Sequence, residues 1–117
     1  MYEYRAKVVR WIDADTIVVD IDQGFNDWKH NQHLRLIGID APDKQPAKGV
    51  ATLHARSLAW PDTEIMIRTH KDKGDKYGRW LVEIYSDPTA MLRGISINGA
   101  LVLAGHAKPW DGQGAHP

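Results

Sequence analysis

Residues 34–43, Leu-Arg-Leu-Ile-Gly-Ile-Asp-Ala-Pro-Asp, set an arginine inside an apolar run that stops at two carboxylates. A fold that buries Leu34, Leu36, Ile37 and Ile39 must draw the Arg35 guanidinium partly out of water, and an unpaired buried charge costs several kcal/mol. The planar fork of arginine can be answered by a protein carboxylate or by a ligand phosphate. Two other segments bear on that choice. Asp13-Ala14-Asp15-Thr16 closes the first apolar segment, and Asp75-Lys76-Tyr77-Gly78-Arg79 sets a second arginine just before another one. Acids for a cation and two arginines for an anion are the groups that metal-assisted phosphodiester hydrolysis requires.

The chain of 117 residues, 43% hydrophobic and with five tryptophans, is expected to form one domain over residues 1–117. Cysteine is absent, which excludes disulfides, cysteine zinc sites and a thiol nucleophile. Fifteen basic residues balance fifteen acidic ones, so no global positive field attracts nucleic acid and any contact with it must be local. Residues 1–22 lack the apolar core of an export signal, and no run approaches the ~20 apolar residues of a membrane span. A monomer without a membrane partner is expected, and a cytoplasmic location is favoured. Of the fifteen acids twelve are aspartates, which suit turns and metal ligation better than helix surfaces.

β-Branched residues in near alternation predict strands over residues 4–12 and 16–21, joined as a hairpin by Asp13-Ala14-Asp15. Residues 23–31 read as a long hairpin loop, and residues 33–39 as a third strand running to Pro42, giving a meander. Val50, Leu53, His54, Ser57 and Leu58 fall at helical spacing, which predicts a helix over residues 48–59 ended by Pro61. Residues 64–69 and 80–85 read as strands four and five, separated by a charged loop at 71–78. Ser96 is placed to cap a second helix with an Ile97, Ala100, Leu101, Ala104 stripe and a stop at Gly105, and residues 108–117 read as a fraying tail. Five short strands with a helix between the third and fourth suggest a small, partly open barrel of the oligonucleotide- and oligosaccharide-binding (OB) kind, with a sandwich or an SH3-like barrel still compatible.

The same residues, in order, resemble the staphylococcal nuclease family over positions 8–112. Asp13-Ala14-Asp15-Thr16 resembles its metal-binding turn, Arg35 to Asp43 its central strand, Asp75-Lys76-Tyr77-Gly78-Arg79 its most specific motif, and Asn98 to Ala107 its late helix. The resemblance implies an OB-fold barrel and a Ca²⁺-dependent phosphodiesterase that cuts DNA and RNA to 3′-phosphate products. It implies Asp15, Asp40 and the Ala41 carbonyl as Ca²⁺ ligands, and Arg35 and Arg79 as the grip on the scissile phosphate. Asp43 would activate the attacking water. Lys76 and Tyr77 would meet a terminal phosphate, and Trp110 would lie beside the nucleotide. Two positions depart from the pattern. Asp43 replaces the usual glutamate, which retracts the carboxylate by ~1.5 Å. Ala14 stands at a turn position often held by glycine, where a positive φ would cost roughly 1 kcal/mol.

Carboxylates without histidine or cysteine partners select a hard cation, and Ca²⁺ accepts irregular oxygen shells more readily than Mg²⁺. The six histidines form no metal-ligand set by spacing, and His54 reads as a core or boundary residue. Trp11, Trp28, Trp60 and Trp80 read as buried or half-buried packing residues. A noncatalytic module that binds nucleic acid or protein on the same barrel is the alternative, with Asp43 as the discriminating position.

Overall fold

The computed structural model describes residues 2–74 and 79–110. β1 (Tyr2–Asp13) and β2 (Thr16–Asp22) form the expected hairpin, turning through Ala14 and Asp15, with Asp13 opposite Thr16. β3 (Trp28–Leu36) runs antiparallel to β2 and completes the meander. It starts earlier than expected, within residues read from their polarity as loop. It also ends at Leu36, because Gly38 at φ +82° turns the chain into a two-residue strand, β4 (Ile39–Asp40). Ala14 is buried, and positive φ among non-glycine residues falls at Phe25, Asn26, Asn31 and Asp62, so the expected strain at Ala14 does not arise.

α1 (Ala47–Leu58) then crosses over to β5 (Glu64–Gly74), which pairs antiparallel with β1 and with β6 (Trp80–Tyr85). Residues 71–74 thus extend a strand where a loop was expected. β6 lies parallel to β3 over Leu34–Leu36, which closes the barrel in the order β1-β2-β3-β6-β5. A parallel pair cannot be joined by a hairpin, and the α1 crossover is what makes this closure possible. Val8, Ile17, Val19, Leu34, Leu36, Ile67, Val82 and Ile84 fill the interior.

α1 buries a face other than the one its large apolar residues suggest. Ala51 and Ala55 are buried, while Val50 and Leu53 are 54% and 65% exposed. Small side chains let the helix backbone approach the barrel closely, and Trp11 fixes the contact by donating from Nε1 to the Ala59 carbonyl at 2.9 Å. Trp28, Trp60 and Trp80 are exposed, contrary to their reading as packing residues; only Trp11 of that group belongs to the core.

α2 (Pro88–Arg93) was not anticipated, although its signals are present: the Asp87 side chain caps the Ala90 N–H, Pro88 opens the helix, and Gly94 at φ +69° ends it. α3 (Ile97–Leu103) begins at the expected cap, Ser96, whose Oγ accepts from Gly99 N. From α3, buried Asn98 accepts from Ile84 N and donates to the carbonyls of Ile37 and Val82, tying the helix to β6 and to the turn after β3. The chain then returns as β7 (Lys108–Pro109), paired with β4, so the tail is tied down through residue 110 and not frayed from 108. Among the described residues, no helix is long and apolar enough to cross a membrane.

On the β5–β6 face, Arg68 pairs with Glu3 at 2.8 Å and donates to the Tyr85 hydroxyl, which donates to Glu83 at 2.6 Å; Glu83 also meets His70 at 2.8 Å. Burial alone would raise the Glu83 carboxyl, but the hydrogen bonds from Tyr85 and His70 outweigh it and hold Glu83 below its ordinary value. Burial, then the Glu83 carboxylate, pushes Tyr85 from its ordinary 10.0 up to about 12. A phenol with a raised folded pKa contributes stability that is complete below pH 10.0 and lost as pH rises through about 12. The urea midpoint of the wild-type protein is therefore expected to fall across that window, and Tyr85→Phe should flatten the fall. Parallel curves would contradict this assignment.

Candidate active site

Three neighbouring strands converge their ends on one spot. Thr16 of β2 is opposite Arg35 of β3, and Arg35 is beside Leu81 of β6. Arg79 precedes Leu81 by two residues, and the period of two along a strand brings it to the same face. The Asp15 carbonyl accepts from Leu36 N at 2.8 Å, which locks the β1–β2 turn against β3.

Arg35 is 7% exposed. Its Nη1 donates to the Leu36 carbonyl at 2.7 Å and its Nη2 to the Ile39 carbonyl at 2.8 Å. Two of the five N–H donors of the guanidinium are thus spent on the turn that follows its own strand. The same Nη2 lies 3.5 Å from Asp15 Oδ2 and 3.6 Å from Asp40 Oδ1. Asp15, 8% exposed, accepts from Ala41 N at 2.9 Å through Oδ2 and from Thr16 Oγ1 at 3.2 Å through Oδ1. Arg79 Nη1 donates to Thr16 Oγ1 at 3.2 Å, which joins the second arginine to the cluster through the threonine. The Trp110 ring lies 5.6 Å from Arg35 Cζ, held there by the bond from Trp110 N to the Gly38 carbonyl.

Asp15, Arg35, Asp40 and Ala41 are therefore brought together, with Arg79 one residue removed and Trp110 alongside. Asp43, three residues beyond Asp40, is exposed on the loop between β4 and α1, and among the described residues it makes no hydrogen bond or ion pair. Lys76 and Tyr77 lie outside the described residues. Sequence reasoning gave Thr16 no role, although its place directly after Asp15 in a hairpin turn was a usable signal. It also missed the pair between Lys48 and Asp13, at 3.3 Å, which joins two elements distant in sequence.

The donor set suits a hard cation. Two carboxylates, Asp15 and Asp40, lie 3.5 and 3.6 Å from the same guanidinium nitrogen, and the Ala41 amide donates to Asp15. Among the described residues, no group of three or more His, Asp or Glu side chains is arranged to hold a metal. A cation held by this pair would take the rest of its shell from water and a ligand.

A family model, described as staphylococcal nuclease homologue, matches residues 33–114. The chain is 33% identical over 91 residues to a thermonuclease of Staphylococcus hyicus, covering 71% of this chain and 49% of that protein. It is 34% identical over 111 residues to the protein ParB of Escherichia coli, covering 90% of this chain and 56% of that one. The chain thus spans about half the length of the curated relatives it matches.

Proposed function

Because this chain belongs to the staphylococcal nuclease homologue family, we propose that it hydrolyses phosphodiester bonds of DNA and RNA, with Ca²⁺ as cofactor, on a single barrel domain. The observation that carries this reading is the meeting of Asp15, Asp40 and Arg35 on one nitrogen, with Arg79 linked through Thr16. A phosphoryl centre under attack gathers negative charge on its outer oxygens, and guanidiniums already fixed in place stabilise that charge without reorganising. Arg79 donates to those oxygens. Arg35, held by the two carbonyls, offers its remaining donors from a fixed plane.

Asp15, Asp40 and the Ala41 carbonyl would hold the Ca²⁺, which when bound supplies positive charge beside the phosphate. Asp43 takes the proton of the attacking water from the exposed loop, and the products carry a 3′-phosphate. Lys76 and Tyr77 meet the terminal phosphate, and Trp110 lies along the nucleotide. The test is digestion of single-stranded DNA with Ca²⁺, with a chelator control and identification of the product ends. Intact substrate at high protein concentration would reject the reading.

A second reading, a nucleic-acid or protein binding module with little turnover, is favoured by one observation: Asp43 is exposed and, among the described residues, makes no hydrogen bond or ion pair that would aim it. General-base help is worth about 10²- to 10⁴-fold. If Asp43 is a base set back by one methylene, Asp43→Glu should recover part of that factor and raise kcat by at least about tenfold. Absence of cleavage in both forms, with binding retained, would favour the module.

A further inference from the structure

We propose that the groove between β1 and α1 carries the single strand of a polynucleotide away from the cleavage position; the proposal rests on the nuclease reading and adds the path of its substrate. The groove encloses about 700 Å³, and its lining includes Arg10, Gln45, Lys48, Val50, Leu53 and Arg56. Three of its lining side chains are cationic and, among the described residues, none is a carboxylate, in a chain whose formal net charge is zero. With Lys48 paired to Asp13, Arg10 and Arg56 carry the local excess, the kind of charge a phosphate backbone recognises.

The positions follow from helix geometry. Lys48, Thr52 and Arg56 are spaced by four and form one stripe along α1, with Arg10 across from them on β1. At 1.5 Å per residue the stripe is about 12 Å long, the rise of roughly three stacked nucleotides. Among the described residues neither Arg10 nor Arg56 makes an ion pair. Arg56 lies 5.3 Å over the ring of Trp60, which is 54% exposed. The exposed Trp60 ring beside Arg56 offers bases a stacking face, and the exposed Val50 and Leu53 add apolar surface, while the cations take the phosphates. An acidic peptide would match the charge but leave the aromatic face without a stacking partner.

One contact ties the groove to the turn of the candidate active site: Lys48 of its lining is paired with Asp13, two residues from Asp15. On this proposal a strand held at Asp15 and Arg35 continues into the trough.

The test is the double variant Arg10→Glu/Arg56→Glu, both side chains being exposed. In anisotropy titrations with a twenty-nucleotide oligodeoxythymidine in chelator, the affinity should fall at least tenfold, and the slope of log affinity against log salt should shrink by about 1.4 for two lost phosphate contacts. With Ca²⁺, the ratio of kcat/KM for the twenty-mer to that for a dinucleotide should fall about tenfold. Unchanged affinity and an unchanged ratio would overturn the groove while leaving the nuclease reading standing. No cleavage by either form would reject the nuclease reading, and the titration alone would then decide the groove. Tighter binding of polyglutamate than of the oligonucleotide would also overturn it.

Discussion

Arg79→Lys is expected to lower kcat by about 10²- to 10³-fold, the cost of removing one fixed donor from a developing oxyanion. Lysine keeps the charge but loses the planar fork, so it cannot hold Thr16 and face a phosphate oxygen at the same time. The fold should not register the change. Arg79 is only half-buried and lysine keeps its charge, so the unfolding free energy should move by no more than the ~0.5 kcal/mol typical of surface substitutions. Steady-state cleavage of single-stranded DNA and urea unfolding on the same preparation check both halves. A variant with wild-type turnover would remove Arg79 from the chemistry, and one that loses activity and stability in proportion would make it a structural residue.

Arg35→Met should behave differently and lose about 3–5 kcal/mol of unfolding free energy, the usual cost of removing one partner from a buried ion pair. Four groups depend on this guanidinium. The carbonyls of Leu36 and Ile39 lose their donor, and Asp15 and Asp40 lose the positive charge that lies 3.5 and 3.6 Å from their oxygens. Against a total stability of about 5–15 kcal/mol for a small domain, the loss is a large share. Urea unfolding of the wild-type and Arg35→Met proteins at pH 7 measures this. A loss under about 1 kcal/mol would mean that the cluster is solvated enough to stand without the arginine.

The contrast between the two arginines separates what could be read along the chain from what could not. Both are followed by β-branched or large apolar residues, and both read as candidates for gripping a phosphate. Only their partners distinguish them: Arg35 holds the turn it precedes, whereas Arg79 reaches across to Thr16. Helix α1 makes a similar point. Val50, Leu53 and Leu58 at helical spacing announce a helix correctly, yet its buried face is set by Ala51 and Ala55, because a close approach to β1 favours small side chains over large ones. The end of the chain errs in the other direction. Lys108 and Pro109 read as a tail by composition, but main-chain pairing with Ile39 and Asp40 holds them, and that pairing leaves no trace in side-chain pattern.

Local chemistry along the chain determined the hairpin at Asp13–Thr16, the Ser96 cap, the β-rich class and the motifs that resemble a nuclease family, since alternation, capping and turn preference act over a few neighbouring residues. Tertiary structure alone decided that β3 and β6 run parallel to close the barrel, and that Thr16 joins Asp15 to Arg79. Those outcomes depend on contacts between residues tens of positions apart, whose geometry is set by how whole elements pack and not by any neighbour in sequence.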